Sequence, residues 1–385
     1  MARFLGPSDF GLLVVSVATL TLIADIVDFG TNTGLVRFVS ASLISNKERA
    51  LRFLKLSLEV KFVVWILVLI IGILLAPIVA DKIFNKPELV FPLKLTMVGV
   101  GGALLFSFAT SSLQAFQKYL TWSVVNISTN FLRLIFILLL FFYGQLNLTS
   151  GFVTYLSLPF LGFSLALLFL PTRKIIAIKN EFSVGREFFK FNFWVALFTI
   201  IAAVSSRLDT FLIARFLPTR EIGIYGAANQ LVSIVPQIVG ALGIVAAPKF
   251  ASFVNIKQML TYFKKFQLLV IGLSILSLIA IPLSFYVIPL IYGSLYTETV
   301  LPFIVLFFAM LIFLVSVPVH NSIIYYFGKS QVFVWVGIGH FFIIGIFGYL
   351  LISSYGLIGA AISVLIGMIF NFIAPLIWFL LRIRR

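Results

Sequence analysis

Residues 62–80 read FVVWILVLIIGILLAPIVA, nineteen positions without a charge or an amide. An uninterrupted apolar run of 18 or more residues is long enough to cross the hydrocarbon layer of a bilayer as a helix, at roughly 1.5 Å per residue against about 30 Å. Ten further runs of the same kind follow from the sequence, at 10–29, 93–115, 122–143, 151–170, 191–211, 222–245, 268–291, 301–319, 332–352 and 357–381. Strands of a membrane barrel would be shorter and would alternate apolar with polar residues, so the runs are expected to be helices. The expected fold class is an all-α, polytopic membrane protein of about eleven spans. Composition agrees, with 62% hydrophobic and 10% charged residues, against roughly 25% charged in an ordinary soluble domain. The 385 residues contain no Cys, which excludes disulfides, thiolate metal sites and cysteine nucleophiles.

The formal charge of +16 has a definite placement. Basic residues gather in alternate connections: Arg37, Lys47, Arg49, Arg52, Lys55 and Lys61, then Lys118, then Arg173, Lys174, Lys179, Arg186 and Lys190. Lys249, Lys257, Lys264, Lys265, Lys329, Arg382, Arg384 and Arg385 continue the same side. The opposite connections carry Lys82 and Lys86 beside Asp81 and Glu88, and Arg215 and Arg220 beside Glu221. The positive-inside rule puts the first set, and with it the C-terminus, in the cytoplasm. Topology and attraction to anionic lipid head groups account for the charge without nucleic acid, for which no recognition motif is present.

The chain repeats itself. Ala2-Arg3-Phe4-Leu5 and Gly11 recur 212 residues later as Ala214-Arg215-Phe216-Leu217 and Gly223, and Arg37-Phe38 and Ser40 recur as Lys249-Phe250 and Ser252. Phe116 and Lys118 match Phe327 and Lys329 at an offset of 211. Such self-similarity indicates a duplication into two bundles of like orientation, expected at 1–180 and 181–385. The run 191–211 has no counterpart in the first copy, so a helix is expected to be missing from that copy, through a truncated start or as a naturally shortened variant.

Charges inside spans cost about 2.5–3.5 kcal/mol near the bilayer centre and are therefore the candidate functional residues. Asp25 and Asp28 share a helical face in the first run. They either stand among head groups or couple transport to an ion, and their repeat mates Gln237 and Gly240 are not acidic. Arg133 sits near the middle of its run, where an always-charged guanidinium facing a wet cavity would attract phosphate; an internal ion pair is the other reading. Arg207 and Asp209 are about 200° apart on a regular helix, so they do not easily face one cavity; snorkelling of one of them is the plain structural reading and a functional role the other. His320 and His340 lack companions at ligand spacing, and no metal or cofactor is expected. Gly99, Gly101 and Gly102 read as close helix packing rather than a phosphate loop. Asn147-Leu148-Thr149 fits a glycosylation acceptor only as a short pattern.

The stretch Arg3-Phe4-Leu5-Gly6-Pro7-Ser8-Asp9-Phe10-Gly11, with Asp25, Asp28-Phe29-Gly30 and Arg37-Phe38, resembles the opening of the polysaccharide-biosynthesis oligosaccharide flippases, within the MATE-related exporter superfamily. Arg207-Leu208-Asp209, Arg215-Phe216-Leu217 and Gly223-Ile224-Tyr225-Gly226 are similar to the second-half signature. The resemblance implies a twelve-helix, V-shaped pair of bundles in the cytoplasmic membrane that carries a polyprenyl-diphosphate-linked oligosaccharide outward by alternating access. By it, Arg133 and Arg207 would attract the diphosphate, and Asp25, Asp28 and Asp209 would serve ion coupling or gating. Expected partners are the lipid-linked oligosaccharide and membrane lipids, with protons or sodium as coupling ions and glycan-assembly proteins as further candidates. Ion-coupled efflux of organic cations or drugs is the alternative, and a non-transporting scaffold a second. A membrane glycosyltransferase would want carboxylates in a sizeable outer loop, which the sequence lacks; no enzyme is expected.

Overall fold

The structure, a computed structural model, describes residues 1–383. Its helices are α1 (Ala2–Val27), α2 (Thr31–Ser45), α3 (Lys47–Ile78), α4 (Val90–Ala115), α5 (Tyr119–Phe142), α6 (Leu148–Leu167), α7 (Thr172–Ala177) and α8 (Phe182–Ser205). They are followed by α9 (Leu208–Phe216), α10 (Thr219–Val232), α11 (Ile234–Ser252), α12 (Ile256–Ser277), α13 (Ala280–Tyr292), α14 (Val300–Asn321) and α15 (Gln331–Ile383). No strand occurs among the described residues, and the all-helical expectation holds. Ten helical segments there are long and apolar enough to cross a membrane. The last, α15, bends at Gly356 (φ 56°, ψ −132°), so one continuous assignment covers the two runs expected at 332–352 and 357–381.

The distribution of side chains is that of a protein solvated by lipid. On α3, Leu74 is 70% exposed, and nine other large apolar side chains from Phe62 to Ile78 are also exposed. Fully burying such a side chain is worth about 1.5–3 kcal/mol. Leaving ten half in water would forfeit roughly 10 kcal/mol, comparable to the whole stability of a soluble domain at about 5–15 kcal/mol. Only an apolar solvent removes that cost.

The chain groups into two compact units. Unit 1 comprises Met1, Arg3–Leu5 and Leu12–Val204; unit 2 comprises Ala2, Gly6–Gly11 and the chain from Ser205 onward. In unit 1, α4 is the central helix and packs on α2, α3, α5 and α6. Its glycines allow this: a Cβ at Gly99 would overlap Leu156, at Gly101 the Trp65 indole, and at Gly102 the Phe160 ring. A second layer of the core joins Phe53, Leu54, Phe108 and Phe188, with Phe38 stacked on Phe53 at 4.9 Å between centroids. In unit 2 the central helix is α14, which packs on α10, α11, α12 and α15. Helix α8 groups with unit 1, whereas the repeat would make it the opening span of the second copy; contact grouping and duplication are separate partitions of the chain.

Three expectations are corrected. The segment 37–61 is no loop but the end of α2 and the first half of α3. Asn46 caps α3 by accepting the Arg49 N–H at 3.0 Å, and Glu48–Arg52 and Lys55–Glu59 pair one turn apart at 3.7 and 3.8 Å. The sequence between them is rich in helix formers, so charge alone did not end the helix. Second, Lys61 is buried inside α3 at 1% exposure, not placed with the cytoplasmic bases. Third, the run 191–211 is interrupted: α8 ends at Ser205 and α9 starts at Leu208 with Arg207 as its cap, so Arg207 and Asp209 both stand at the start of α9, just after a helix break. Arg384 and Arg385, counted in the cytoplasmic set, lie outside the described residues.

Candidate functional site

The break between α1 and α2 builds a polar recess in unit 1. Phe29 and Gly30 both take left-handed φ values, 49° and 69°. A Cβ at Gly30 would also press on Val195 of α8, so this turn needs glycine for conformation and for space. The break leaves the amides at the start of α2 without intrahelical acceptors. Asp28, at the end of α1, supplies them: its Oδ2 accepts the Asn32 N–H at 3.3 Å and its Oδ1 the Thr31 hydroxyl at 3.0 Å.

Above this turn lies a cleft of about 360 Å³. Asp25, Asp28, Asn32, Thr33, Ser107 and Thr199 line it from α1, α2, α4 and α8, with Leu20, Ala24 and Leu104 among its apolar walls. Beneath its surface the Lys61 ammonium from α3 is ion-paired with Asp28 Oδ1 and donates to Ser107 Oγ at 3.3 Å. The side chains of Lys61 and Asp28 are 1% and 12% exposed. An isolated charge at such a depth would be severely destabilising, and pairing with added hydrogen bonds is what makes both tolerable. The cleft thus offers hydroxyls, an amide and carboxylates, with one carboxylate already neutralised. That chemistry suits sugar hydroxyls or a small polar group better than a phosphate.

Unit 2 holds a different buried carboxylate. Asp209 on α9 is 9% exposed and accepts the Tyr225 hydroxyl of α10 at 2.7 Å and the Thr210 N–H at 2.7 Å. Tyr225 is itself fully buried. Arg207 donates to Ser206 Oγ at 2.9 Å.

Arg133 lies on α5 in unit 1 and is not among the residues that line the cleft. Its Nη1 donates to Asn130 Oδ1 at 3.2 Å, and its guanidinium stands over the Tyr155 ring of α6, 4.5 Å from the centroid. Its Nε is buried without a hydrogen-bond partner. The structure therefore brings Asp25 and Asp28 together in one cleft, and Arg133, Arg207 and Asp209 are not among its lining residues. His320 packs on Phe333 at 4.8 Å and approaches the Asn371 carbonyl at 3.1 Å, and His340 packs near Gly367. Asn147 caps α6 in a reciprocal pair with Ser150, so its pattern has a local structural use. Among the described residues no group of three His, Cys, Asp or Glu could hold a metal.

Sequence reasoning missed Lys61 and Ser107. A signal existed: Ser57 and Lys61 stand four residues apart immediately before the apolar run 62–80, a polar stripe on a helix that had already begun. Counting Lys61 with the loop bases hid it.

The ten membrane-length apolar helices, with a polar, charge-paired recess among them, define a polytopic membrane protein. The sequence profile of the polysaccharide biosynthesis protein family matches residues 1–254, and the chain belongs to that family. Among solved structures it is similar to an inward-facing multidrug resistance MATE family transporter of the MOP superfamily. The TM-score is 0.79 and the identity 11%, over 100% of this chain and 91% of that one. It is also similar to the lipid II flippase MurJ in an inward closed conformation, with a TM-score of 0.68 and 17% identity over 98% and 85% of the two chains. A MOP superfamily transporter from Pyrococcus furiosus gives 0.65 and 12% over 99% and 89%. At these identities the likeness speaks for the fold. No curated protein sequence matches the chain significantly.

Proposed function

We propose that the protein translocates a polyprenyl-diphosphate-linked oligosaccharide from the cytoplasmic to the outer leaflet of the cell membrane, by alternating access, for surface glycan assembly. The observation that carries this reading is membership of a polysaccharide biosynthesis family by a chain made almost entirely of membrane-spanning helices. A glycan needs a wet, hydrogen-bonding path through hydrocarbon, and the hydroxyl- and carboxylate-lined cleft at Asp25 and Asp28 supplies one in unit 1. In this reading the copies are 1–180 and 181–385, the C-terminus is cytoplasmic, Arg133 and Arg207 attract the diphosphate, and Asp25, Asp28 and Asp209 act in gating or ion coupling.

Carboxylates in the cleft also suit organic cations, the cargo of a drug exporter. Pairing of Asp28 with Lys61 removes one of those two negative charges, which favours a neutral, hydroxyl-rich group. The test reconstitutes the protein in liposomes and follows access of a polyprenyl-diphosphate oligosaccharide to an external glycan-modifying reagent. Protein-dependent transfer is expected. No transfer, together with uptake of a cationic dye, would overturn the reading in favour of cation export; no movement of either would leave a scaffold.

A further inference from the structure

Three donors meet Asp28, which also lines the cleft. The Lys61 ammonium and the Thr31 hydroxyl meet Oδ1, and the Asn32 N–H meets Oδ2. A hard inorganic cation demands the opposite, a shell of oxygen acceptors converging on one point. Here the position against the carboxylate where such a cation would sit is taken by an ammonium group carried on α3. Ser107 Oγ, from a residue that lines the cleft, is a second acceptor of that ammonium at 3.3 Å, so two oxygens hold the group in the cation's place. The arrangement is not imposed by the repeat, because at an offset of 212 the mates of Asp28 and Lys61 are Gly240 and Leu273.

We propose that Lys61 is the permanent cation of this cleft and that Asp28 consequently binds neither sodium nor any other inorganic cation. An ion tethered to its own helix cannot be taken up on one side of the membrane and released on the other. A sodium gradient therefore does no work through Asp28, whatever cargo the cleft serves, and of the two roles proposed above only gating remains for Asp28. Asp25, one helical turn earlier, lines the same cleft and is a separate question.

Thermal stability tests this without any transport assay, so its failure is distinct from failure of the flippase reading. The purified protein would be melted in detergent in sodium chloride and in choline chloride of equal ionic strength, together with Lys61→Ala and the doubly neutral Asp28→Asn/Lys61→Met. The wild type is expected to show no sodium-dependent rise in midpoint that the double variant lacks. Lys61→Ala should melt lower in choline and recover in a sodium-concentration-dependent way, because sodium then enters the vacated position. A wild-type sodium response that vanishes in the double variant would overturn the proposal, and so would a folded Lys61→Ala without any sodium response. A response present in both wild type and double variant belongs to another group such as Asp25 and upholds the assignment for Asp28. Should Lys61→Ala fail to fold, the comparison of wild type with the double variant still decides.

Discussion

Gly11 and Gly223 meet face to face: a Cβ on Gly11 would run into the Thr219 carbonyl, and a Cβ on Gly223 into the Pro7 carbonyl, each lying 3.0 Å from the other glycine's nitrogen. Both residues belong to unit 2, and they occupy equivalent positions in the repeat read from the sequence. Two helix starts approach backbone to backbone here, the close crossing that small residues permit in membranes.

Adding one methyl at this contact meets rigid backbone on the far side. Gly223→Ala is expected to lower stability by about 1–3 kcal/mol, as overpacking does elsewhere, and Gly223→Leu to prevent accumulation of folded protein. Thermal melting in detergent and the yield of monodisperse protein check this. A Gly223→Leu protein that melts like the wild type would refute the crossing.

Tyr225→Phe removes the 2.7 Å hydrogen bond to Asp209 and leaves a buried carboxylate oxygen short of a donor. The expected cost is about 1–3 kcal/mol. Asp209→Asn keeps an acceptor for the tyrosine hydroxyl and should cost less. The order of the two melting midpoints is the readout, and the reverse order would show that the pair is not held by this hydrogen bond.

If Arg133 and Arg207 attract a diphosphate, truncating either removes a charge-assisted hydrogen bond worth about 1.5–3 kcal/mol, a loss of roughly 10- to 100-fold in transfer. The comparison uses Arg133→Ala and Arg207→Ala at equal expression in the liposome assay. Normal transfer by both would dismiss the cationic role. Arg133→Lys should recover less than a conserved charge suggests, because the stacking on Tyr155 suits a planar guanidinium.

The absence of cysteine makes topology directly measurable. In intact cells an impermeant maleimide should label Gln145→Cys and should reach Lys179→Cys only after permeabilisation. Labelling in the opposite sense would invert the orientation derived from the basic connections.

The spans were legible because residues such as those of 62–80 and 301–319 leave no alternative to a helix in lipid. Helix ends were not. The α3 helix runs on for fifteen residues before its apolar stretch, since Asn46 and paired charges sustain it, and hydropathy does not register an amphipathic extension. Asp25 and Asp28 were visible as candidates because carboxylates stand out in apolar sequence. Their relation to Lys61 was not visible, because it depends on α3 lying beside the break at Phe29 and Gly30, a tertiary fact. Nor could spacing reveal the pairing of Asp209 with Tyr225, sixteen residues away across the turn between α9 and α10.

Gly356 is the lone break between the two halves of α15. With a connection of one residue, in a conformation that L side chains rarely adopt, the segments 331–355 and 357–383 have no stretch of polar chain on which the first could pause after crossing alone. The two segments are therefore expected to insert as one helical hairpin, with the orientation of the final span set by its predecessor rather than by its own flanking charges.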